Sequence, residues 1–340
     1  MGSHRRQAPS GFDRGACVAV SVLSAAVAAL GAVPATAAPA APADDTRAEV
    51  DRLYTEAEQA TEAYNKADER TDTLRGEVRR TQDRIARQQE RVNEMREALG
   101  SLAGAQYRSG GVDPSVALLF SEDPDDYLDK AAALDRISAR QAGQLTELQN
   151  ALRALAQERT EATGRLTELE KSRKAVAAHK KTVEGKLAKA RALLNALPDD
   201  DRAAYDRASR SGRAELPDLT GVQPASGRAA AAVAAARSAV GKPYIWGANG
   251  PSGFDCSGLT QWSYAQAGVA IPRTSQGQRH AGQHVPLAQA QPGDLVTYRS
   301  DASHVGMYVG NGQVVHAPYP GAPVRYDPVG MMPIDSVTRV

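Results

Sequence analysis

The chain contains 340 residues, of which 41 are Lys or Arg and 40 are Asp or Glu, so its formal net charge is +1. This balance provides no basic excess for binding nucleic acid or an anionic membrane surface. We therefore expect no nucleic-acid partner.

The N-terminus has the features of an export signal. Three arginines precede an uncharged, Ala- and Val-rich run over residues 16–33, and the small-residue motif Ala35-Thr36-Ala37 follows. The run is long enough for a membrane helix, but its small residues and the motif favour cleavage. The sequence predicts a signal peptide over 1–37, a low-complexity Ala/Pro segment over 38–48, and a secreted protein in the extracellular space or cell wall.

Residues 49–197 carry two heptad repeats, one from Leu53 to Leu102 and another from Leu134 to Leu197. Apolar residues at the heptad seam are typical of a helix that buries one narrow stripe against a partner helix. A Gly/Pro cluster at 109–114 separates the repeats, which favours an all-α antiparallel coiled-coil hairpin. A homodimeric parallel coil is the alternative. The apolar residues 116–120 at the tip either close the hairpin or bind a partner.

Residues 198–226 lack periodicity and are interpreted as a linker. The remaining residues, 227–340, form a second domain with helices predicted over 227–240 and 256–267. Short alternating runs predict strands over 294–299, 304–309, 313–317 and 324–326. The predicted fold class is therefore multidomain, with an α+β domain after the helical hairpin.

Cys256 is the only cysteine outside the predicted signal peptide, which contains Cys17. The predicted helix begins at Cys256, where backbone N–H groups and the helix dipole would lower the pKa of the thiol. His304 is the candidate base for this nucleophile. His316 is the candidate for orienting the His304 ring.

The two histidines can act together only if they lie on one face of the sheet. A two-residue turn at Asn311-Gly312 would pair Gly310 with Gln313 and place the two histidines on opposite faces of the sheet. A three-residue turn would pair Val309 with Gln313 and Gly306 with His316, which brings the histidines together. We therefore expect the three-residue turn.

A metal site is the alternative use of these residues. His280 and His284 are four residues apart and, with Cys256, form a possible zinc-ligand set. They lie in a polar stretch without an apolar helical stripe, and no second cysteine is available. We therefore expect no metal and no cofactor.

Six blocks of the second domain resemble, in order, those of the NlpC-type papain-like cell-wall peptidases. The resemblance covers residues 229–329, and with the hairpin the whole chain resembles the Rip-type peptidoglycan endopeptidases. The blocks are 242–247 (KPYIWG), 254–259 (FDCSGL), 272–275 (PRTS), 292–295 (PGDL), 304–310 (HVGMYVG) and 315–318 (VHAP).

The resemblance implies a papain-like fold in which Cys256 is the nucleophile, His304 the general base and acid, and His316 the orienting residue. It implies that Tyr244 helps to stabilise the oxyanion. The stem-peptide site would be shaped by Asp255, Ser257 and Arg273. The implied substrate is a peptidoglycan stem peptide, cut between γ-D-glutamate and the diamino acid during wall remodelling or cell separation.

Two other functions remain open at this stage. The chain could be a non-catalytic coiled-coil scaffold with a wall-peptide-binding domain, or an amidase or acyltransferase that uses the same triad. The hairpin is hypothesised to restrain or position the peptidase until a membrane-bound division complex engages it. A passive spacer is the alternative.

Overall fold

A computed structural model describes residues 43–108, 116, 124–210 and 223–340. The predicted signal peptide lies outside the described residues, as does most of the apolar tip. Val116, the one described residue of the tip, is helical and exposed.

Two long helices, α1 (Ala43–Arg108) and α2 (Pro124–Ala196), form a hairpin. Ion pairs connect them in opposite chain order: Glu49 with Lys189 at 3.0 Å, Arg70 with Glu168 at 2.8 Å and Arg91 with Glu147 at 2.8 Å. The predicted antiparallel arrangement is confirmed, and it is formed within one chain. Among the described residues, no helix combines the length and apolarity needed to cross a bilayer.

Apolar side chains fill the seam between the two helices. One cluster, near the base of the hairpin, contains Val50, Leu53, Ala57, Val183 and Leu187, and another, farther along, contains Val92, Ala151 and Leu155. Helix α1 begins at Ala43, so the second half of the predicted low-complexity segment is helical.

Part of the predicted linker is also helical. Helix α3 (Asp199–Arg210) begins with three aspartates, whose negative charges interact favourably with the positive end of the helix dipole. Asp201 accepts a hydrogen bond from Arg47 at 2.9 Å, and Tyr205 packs against the cluster at the base of the hairpin. Residues 199–210 of the predicted linker are therefore helical, although the sequence there shows no periodicity.

The C-terminal domain is α+β, as predicted. Its helices are α4 (Gly227–Ser238), α5 (Cys256–Gln266) and the short α6 (Ser275–Gln278), with a 3₁₀ turn at Leu287–Gln289. The strands are β1 (Gln283–His284), β2 (Leu295–Tyr298), β3 (His304–Gly310), β4 (Gln313–His316), β5 (Arg325–Pro328) and β6 (Ile334–Arg339).

The strands form one antiparallel sheet in the order β1-β6-β2-β3-β4-β5. Strands β1 and β6 were not predicted from the sequence. Strand β1 has only two residues, and β6 alternates Asp335, Val337 and Arg339 with Ser336 and Thr338, a pattern with few apolar positions.

The main core lies where α4 and α5 pack against the sheet. It contains Ala232, Val233, Ala236, Leu259 and Tyr264 from the helices and Leu295, Val305, Met307 and Val315 from the strands. This packing fixes the N-terminus of α5 beside the start of β3, which determines where Cys256 and His304 lie.

Gly258 allows the start of α5 to pack closely against the preceding loop. A Cβ atom at this position would lie 2.2 Å from the Ala248 carbonyl oxygen and 2.8 Å from Asp255 Oδ1. We expect Gly258→Ala to lower the free energy of unfolding by about 1–3 kcal/mol, as overpacking does. Gly227→Ala is the matched control, because nothing lies within 4 Å of its Cβ position. Denaturant unfolding of both variants measures this, and equal stability would contradict the packing argument.

Candidate active site

Cys256 is the first residue of α5 and is buried, with 1% of its surface exposed. Asp255 caps the helix by accepting a hydrogen bond from the Gly258 N–H at 2.6 Å. The backbone N–H of Val305 donates a hydrogen bond to the thiol. The predicted helix start is therefore confirmed, and it holds the thiol beside strand β3.

His304 and His316 lie on one face of the sheet. The distance between His304 Nε2 and His316 Nδ1 is 2.8 Å, and both rings are buried. Gly306 makes this possible, because a Cβ atom there would lie 3.3 Å from His316 Cβ.

The turn that joins β3 and β4 differs from the prediction. Gly310 pairs with Gln313, so the turn has two residues, Asn311 and Gly312, with φ angles of 49° and 70°. A bulge between Tyr308 and Gly310 then shifts the register by one residue. Met307 consequently pairs with Val315. The three-residue turn was wrong, but the bulge produces the same histidine pairing.

Asp327, on strand β5, extends the histidine pair and was missed in the sequence. Its Oδ2 atom lies 2.8 Å from His316 Nε2 and accepts a hydrogen bond from Arg325 Nε at 2.7 Å. Burial alone would raise the pKa of Asp327, but the His316 hydrogen bond and the Arg325 charge keep that pKa below its usual range. Only the alternation along 325–327 could have suggested an inward-facing carboxylate.

The hydrogen bonds that link His304, His316 and Asp327 assign the tautomers of the two histidines. Burial lowers the pKa of His316 to about 4, so the ring is neutral near pH 7. Its Nε2–H donates a hydrogen bond to the Asp327 carboxylate, and its Nδ1 accepts a hydrogen bond from His304 Nε2–H. The remaining nitrogen, His304 Nδ1, faces the thiol side of the site.

Tyr244 lies beside the N-terminus of α5, where it forms an isolated bridge with Phe254. Its hydroxyl is buried and has no hydrogen-bond partner among the described residues. Burial, and next the neighbouring Cys256, raise the pKa of Tyr244 well above its ordinary value. The hydroxyl therefore stays protonated and can donate a hydrogen bond.

Asp255, Ser257 and Arg273, the predicted substrate residues, form one polar cluster. Arg273 donates to Asp255 through both terminal nitrogens, at 2.9 and 2.6 Å, and to Ser257 Oγ at 2.9 Å. The bidentate geometry fixes the guanidinium plane. The cluster lies immediately beside the thiol, since two of its members flank Cys256 in sequence.

Helix α1 covers this site through residues that the sequence analysis did not single out. We call Tyr54, Glu58, Glu62 and Asn65 the blocking face of α1; all four are buried. Glu58 contacts His304 Nδ1 and accepts a hydrogen bond from Arg299 at 2.7 Å. Burial alone would raise the pKa of Glu58, but the charges of His304 and Arg299 lower it below its usual range.

Glu62 lies directly against the nucleophile. One of its oxygens accepts a hydrogen bond from Ser257 Oγ at 2.6 Å and lies 3.7 Å from Cys256 Sγ. The other accepts from the Ser275 N–H at 2.8 Å. Burial, and next the charge of Asp255, raise the pKa of Glu62 to about 7.

The ends of the blocking face make further contacts with the C-terminal domain. Tyr54 stacks on Tyr319 with ring centroids 5.2 Å apart, and Asn65 donates a hydrogen bond to Asp255 at 3.1 Å. Between them, Tyr64 packs edge-on against Trp246 with centroids 5.1 Å apart. Helix α1 therefore spans the site from one side to the other.

The blocking face reverses the expected effect of the surroundings on the thiol. The sequence predicted a lowered pKa for Cys256, but burial raises it well above its ordinary value, and the charges of Glu62, Glu58 and Asp255 raise it further. The thiol is therefore protonated at neutral pH while α1 lies over it.

His280 and His284, the alternative zinc ligands, are exposed on the surface with ring centroids 6.0 Å apart. They are not part of the one group of potential metal donors found among the described residues, which consists of Glu58, Cys256 and His304.

The C-terminal part of the chain is similar to known proteins. The NlpC/P60 family profile matches residues 241–336. A protein from Corynebacterium glutamicum named probable endopeptidase is 42% identical over 151 residues, which cover 43% of this chain and 72% of that protein. A protein of the same name from Mycobacterium tuberculosis is 51% identical over 116 residues, or 34% of this chain and 30% of that protein.

A solved structure, the NlpC/p60 domain of peptidoglycan hydrolase SagA, is 39% identical and covers 33% of this chain and 98% of that chain, with a TM-score of 0.31. The chain spans less than a third of the length of the mycobacterial relative.

The lowered pKa of His316 makes folding stability depend on pH. As the pH falls from 6.5 towards 4, the unfolded chain takes up a proton at this position before the folded chain does, so the free energy of unfolding falls. In His316→Gln, which keeps one acceptor and one donor, this contribution disappears. We expect a steeper loss of stability between pH 6.5 and 4 in the wild type than in the variant, measured by urea unfolding. Parallel curves would contradict a neutral, buried His316.

Proposed function

Because the chain belongs to the NlpC/P60 family, we propose that it is a secreted cysteine endopeptidase that hydrolyses peptidoglycan stem peptides. The observation that carries the proposal is the chain of contacts behind the thiol. Cys256 lies beside His304, and His304, His316 and Asp327 follow one another at 2.8 Å. Nucleophile, base and orienting groups are therefore in mutual reach.

Each of these residues has a role in the proposed reaction. With α1 moved away, His304 Nδ1 takes the proton of the thiol, and the Cys256 thiolate attacks the peptide carbonyl carbon. His304 then gives that proton to the departing amine, which leaves an acyl group on the sulfur. Water, deprotonated by His304, hydrolyses the thioester and restores the thiol.

Three residues stabilise the charges that develop. His316 and Asp327 hold the His304 ring and stabilise the imidazolium that forms when it takes the proton. The Tyr244 hydroxyl, which has no partner within the described residues, can donate a hydrogen bond to the oxyanion.

The substrate assignment is supported by the resemblance to cell-wall peptidases and by the endopeptidase names of the relatives. The bond between γ-D-glutamate and the diamino acid is proposed on the same basis. Polar groups of the blocking face bind the cluster of Asp255, Ser257 and Arg273 in the covered state. This cluster therefore offers a polar peptide both charged and neutral hydrogen-bonding groups.

We extend the proposal to control of the enzyme by the hairpin. The blocking face occupies the position that a peptide needs in order to reach Cys256, and it disfavours the thiolate. Activity then requires α1 to move away from the site. A membrane-bound division complex that engages the hairpin is the proposed cause of this movement.

The catalytic assignment predicts a graded set of losses. Cys256→Ala should abolish peptidoglycan digestion, and His304→Gln should reduce it by about 10²–10⁴-fold, as expected for loss of a general base. His316→Gln should retain partial activity because its amide can accept the His304 hydrogen bond. Mass spectrometry of released muropeptides measures the rates and identifies the bond.

Each variant is best tested together with Glu58→Ala and Glu62→Ala, so that the site is open. Digestion by Cys256→Ala would favour the non-catalytic scaffold with a contaminating activity. Fragments cut at another bond would favour the amidase or acyltransferase.

Control by α1 is tested by the reactivity of the thiol. Glu58→Ala with Glu62→Ala removes two buried carboxylates, so the pKa of Cys256 should fall and the thiolate fraction at pH 7 should rise. We expect faster alkylation by iodoacetamide, a rate–pH profile shifted to lower pH, and faster peptidoglycan digestion. Glu56→Ala is the matched control, since Glu56 lies on the same helix but pairs with Lys186 of α2. Equal alkylation in all three proteins would refute occlusion by the blocking face.

A further inference from the structure

Three buried metal-binding side chains meet where α1 covers the thiol. One donor atom each from Glu58, Cys256 and His304 lies within 4.8 Å of the other two. Glu58 belongs to α1, whereas the other two belong to the C-terminal domain. The group therefore exists only while the blocking face covers the site.

The kinds of donor in this group are those of a zinc site. Zn²⁺ binds Cys sulfur at about 2.3 Å and His nitrogen or carboxylate oxygen at about 2.0–2.2 Å, so ligand atoms of a tetrahedral site lie about 3.3–3.8 Å apart. Thiolate and imidazole together disfavour Mg²⁺ and Ca²⁺, which prefer oxygen ligands. We infer that Glu58, Cys256 and His304 form a zinc-binding site that fastens α1 over the nucleophile.

The surrounding contacts leave the required atoms available. His304 Nε2 is used by His316, so Nδ1 is the nitrogen that faces the site. Arg299 holds Glu58 Oε2 at 2.7 Å, which leaves Oε1 for an ion. Glu58 Oε1 contacts His304 Nδ1 directly. A zinc ion bound by both atoms requires the carboxylate to move back until the two atoms are about 3.3 Å apart, the spacing of nitrogen and oxygen ligands in a tetrahedral site.

Glu62 lies beside this group but is not one of its three donors. Its Oε1 atom lies 3.7 Å from Cys256 Sγ, a separation typical of two ligands of one tetrahedral ion. Glu58 and Glu62 are four residues apart on one helix and so point the same way. A helix turn with two carboxylates thus faces a thiol and an imidazole, and Glu62 would have to move towards the ion to add a fourth donor to Glu58, Cys256 and His304.

Charge balance is compatible with a divalent ion. Four groups can be anionic here, namely the Cys256 thiolate, Glu58, Glu62 and Asp255. Two cations pair with carboxylates of this set, Arg273 with Asp255 and Arg299 with Glu58. A doubly charged ion makes the buried group neutral, which lowers the cost of burying these charges.

Binding replaces protons and involves no redox change. Zn²⁺ takes the place of the thiol proton and of the proton shared by His304 and Glu58, and both protons leave to solvent. The sulfur, the nitrogen and the oxygen each direct a lone pair to the ion. The nucleophile is then capped and the base occupied, so zinc stabilises the inactive arrangement.

This inference rests on the proposed placement of α1 over the thiol and not on the bond that the enzyme cuts. The test is therefore a binding measurement on the full chain without substrate. Zn²⁺ is titrated against a chromophoric chelator, and Co²⁺ is used in parallel because a thiolate ligand gives it a charge-transfer absorption. We expect one ion per chain and a thiolate–cobalt band.

Variants assign the ligands. Cys256→Ser should abolish the cobalt band. Glu58→Gln should weaken zinc binding by at least about tenfold, because changing even a residue that only hydrogen-bonds to a metal ligand costs about that much affinity. Glu56→Gln is the control and should bind zinc as the wild type does. Zinc should also raise the midpoint of thermal unfolding of the wild type and of Glu56→Gln. At the same zinc concentration, the midpoint of Glu58→Gln should rise by less.

The outcomes separate the two proposals. Unchanged zinc affinity in Glu58→Gln would overturn the inference, because the ion would then be held without α1. Absence of zinc binding by the folded wild type would also overturn it. Zinc binding that depends on Glu58, together with no peptidoglycan digestion by the Glu58→Ala, Glu62→Ala chain, would support the zinc site and refute the proposed function. Circular dichroism of each variant verifies that it is folded.

Discussion

The contact between the Glu58 carboxylate and His304 Nδ1 joins the hairpin to the C-terminal domain at the very nitrogen that faces the thiol. A buried carboxylate needs charged or hydrogen-bonding partners, and here the partners are His304 and Arg299. The same groups that would serve the reaction thus stabilise the covered state. One set of buried charged groups is thus proposed to serve both catalysis and restraint.

Much of the fold follows from patterns that act locally. Heptad spacing predicts the hairpin, and the position of Cys256 at a helix start follows from the loop before it. The pairing of His304 with His316 was inferred correctly although the turn was wrong. A one-residue bulge and a two-residue turn compensate each other, and the sequence alone gives no signal that separates this combination from a three-residue turn.

The contacts that the sequence did not reveal are long-range and polar. Glu58 and Glu62 lie outside the heptad seam, where charged residues are normally solvated, so nothing local marks them as buried. Their burial arises from docking against residues about 195–245 positions away in the chain. Asp327 was missed for a related reason, since its partner His316 lies on the neighbouring strand and a lone strand carboxylate has no distinctive pattern.

The length of α1 gives its covered site a mechanical property. From Asn65 to its end at Arg108 the helix extends about 65 Å at 1.5 Å per residue, while the blocking face from Tyr54 to Asn65 occupies only about 17 Å. Two packed helices resist bending, so a sideways pull at the far end acts on the site through a long lever arm. A weak force applied far from the thiol can then exert a large torque on a few short contacts.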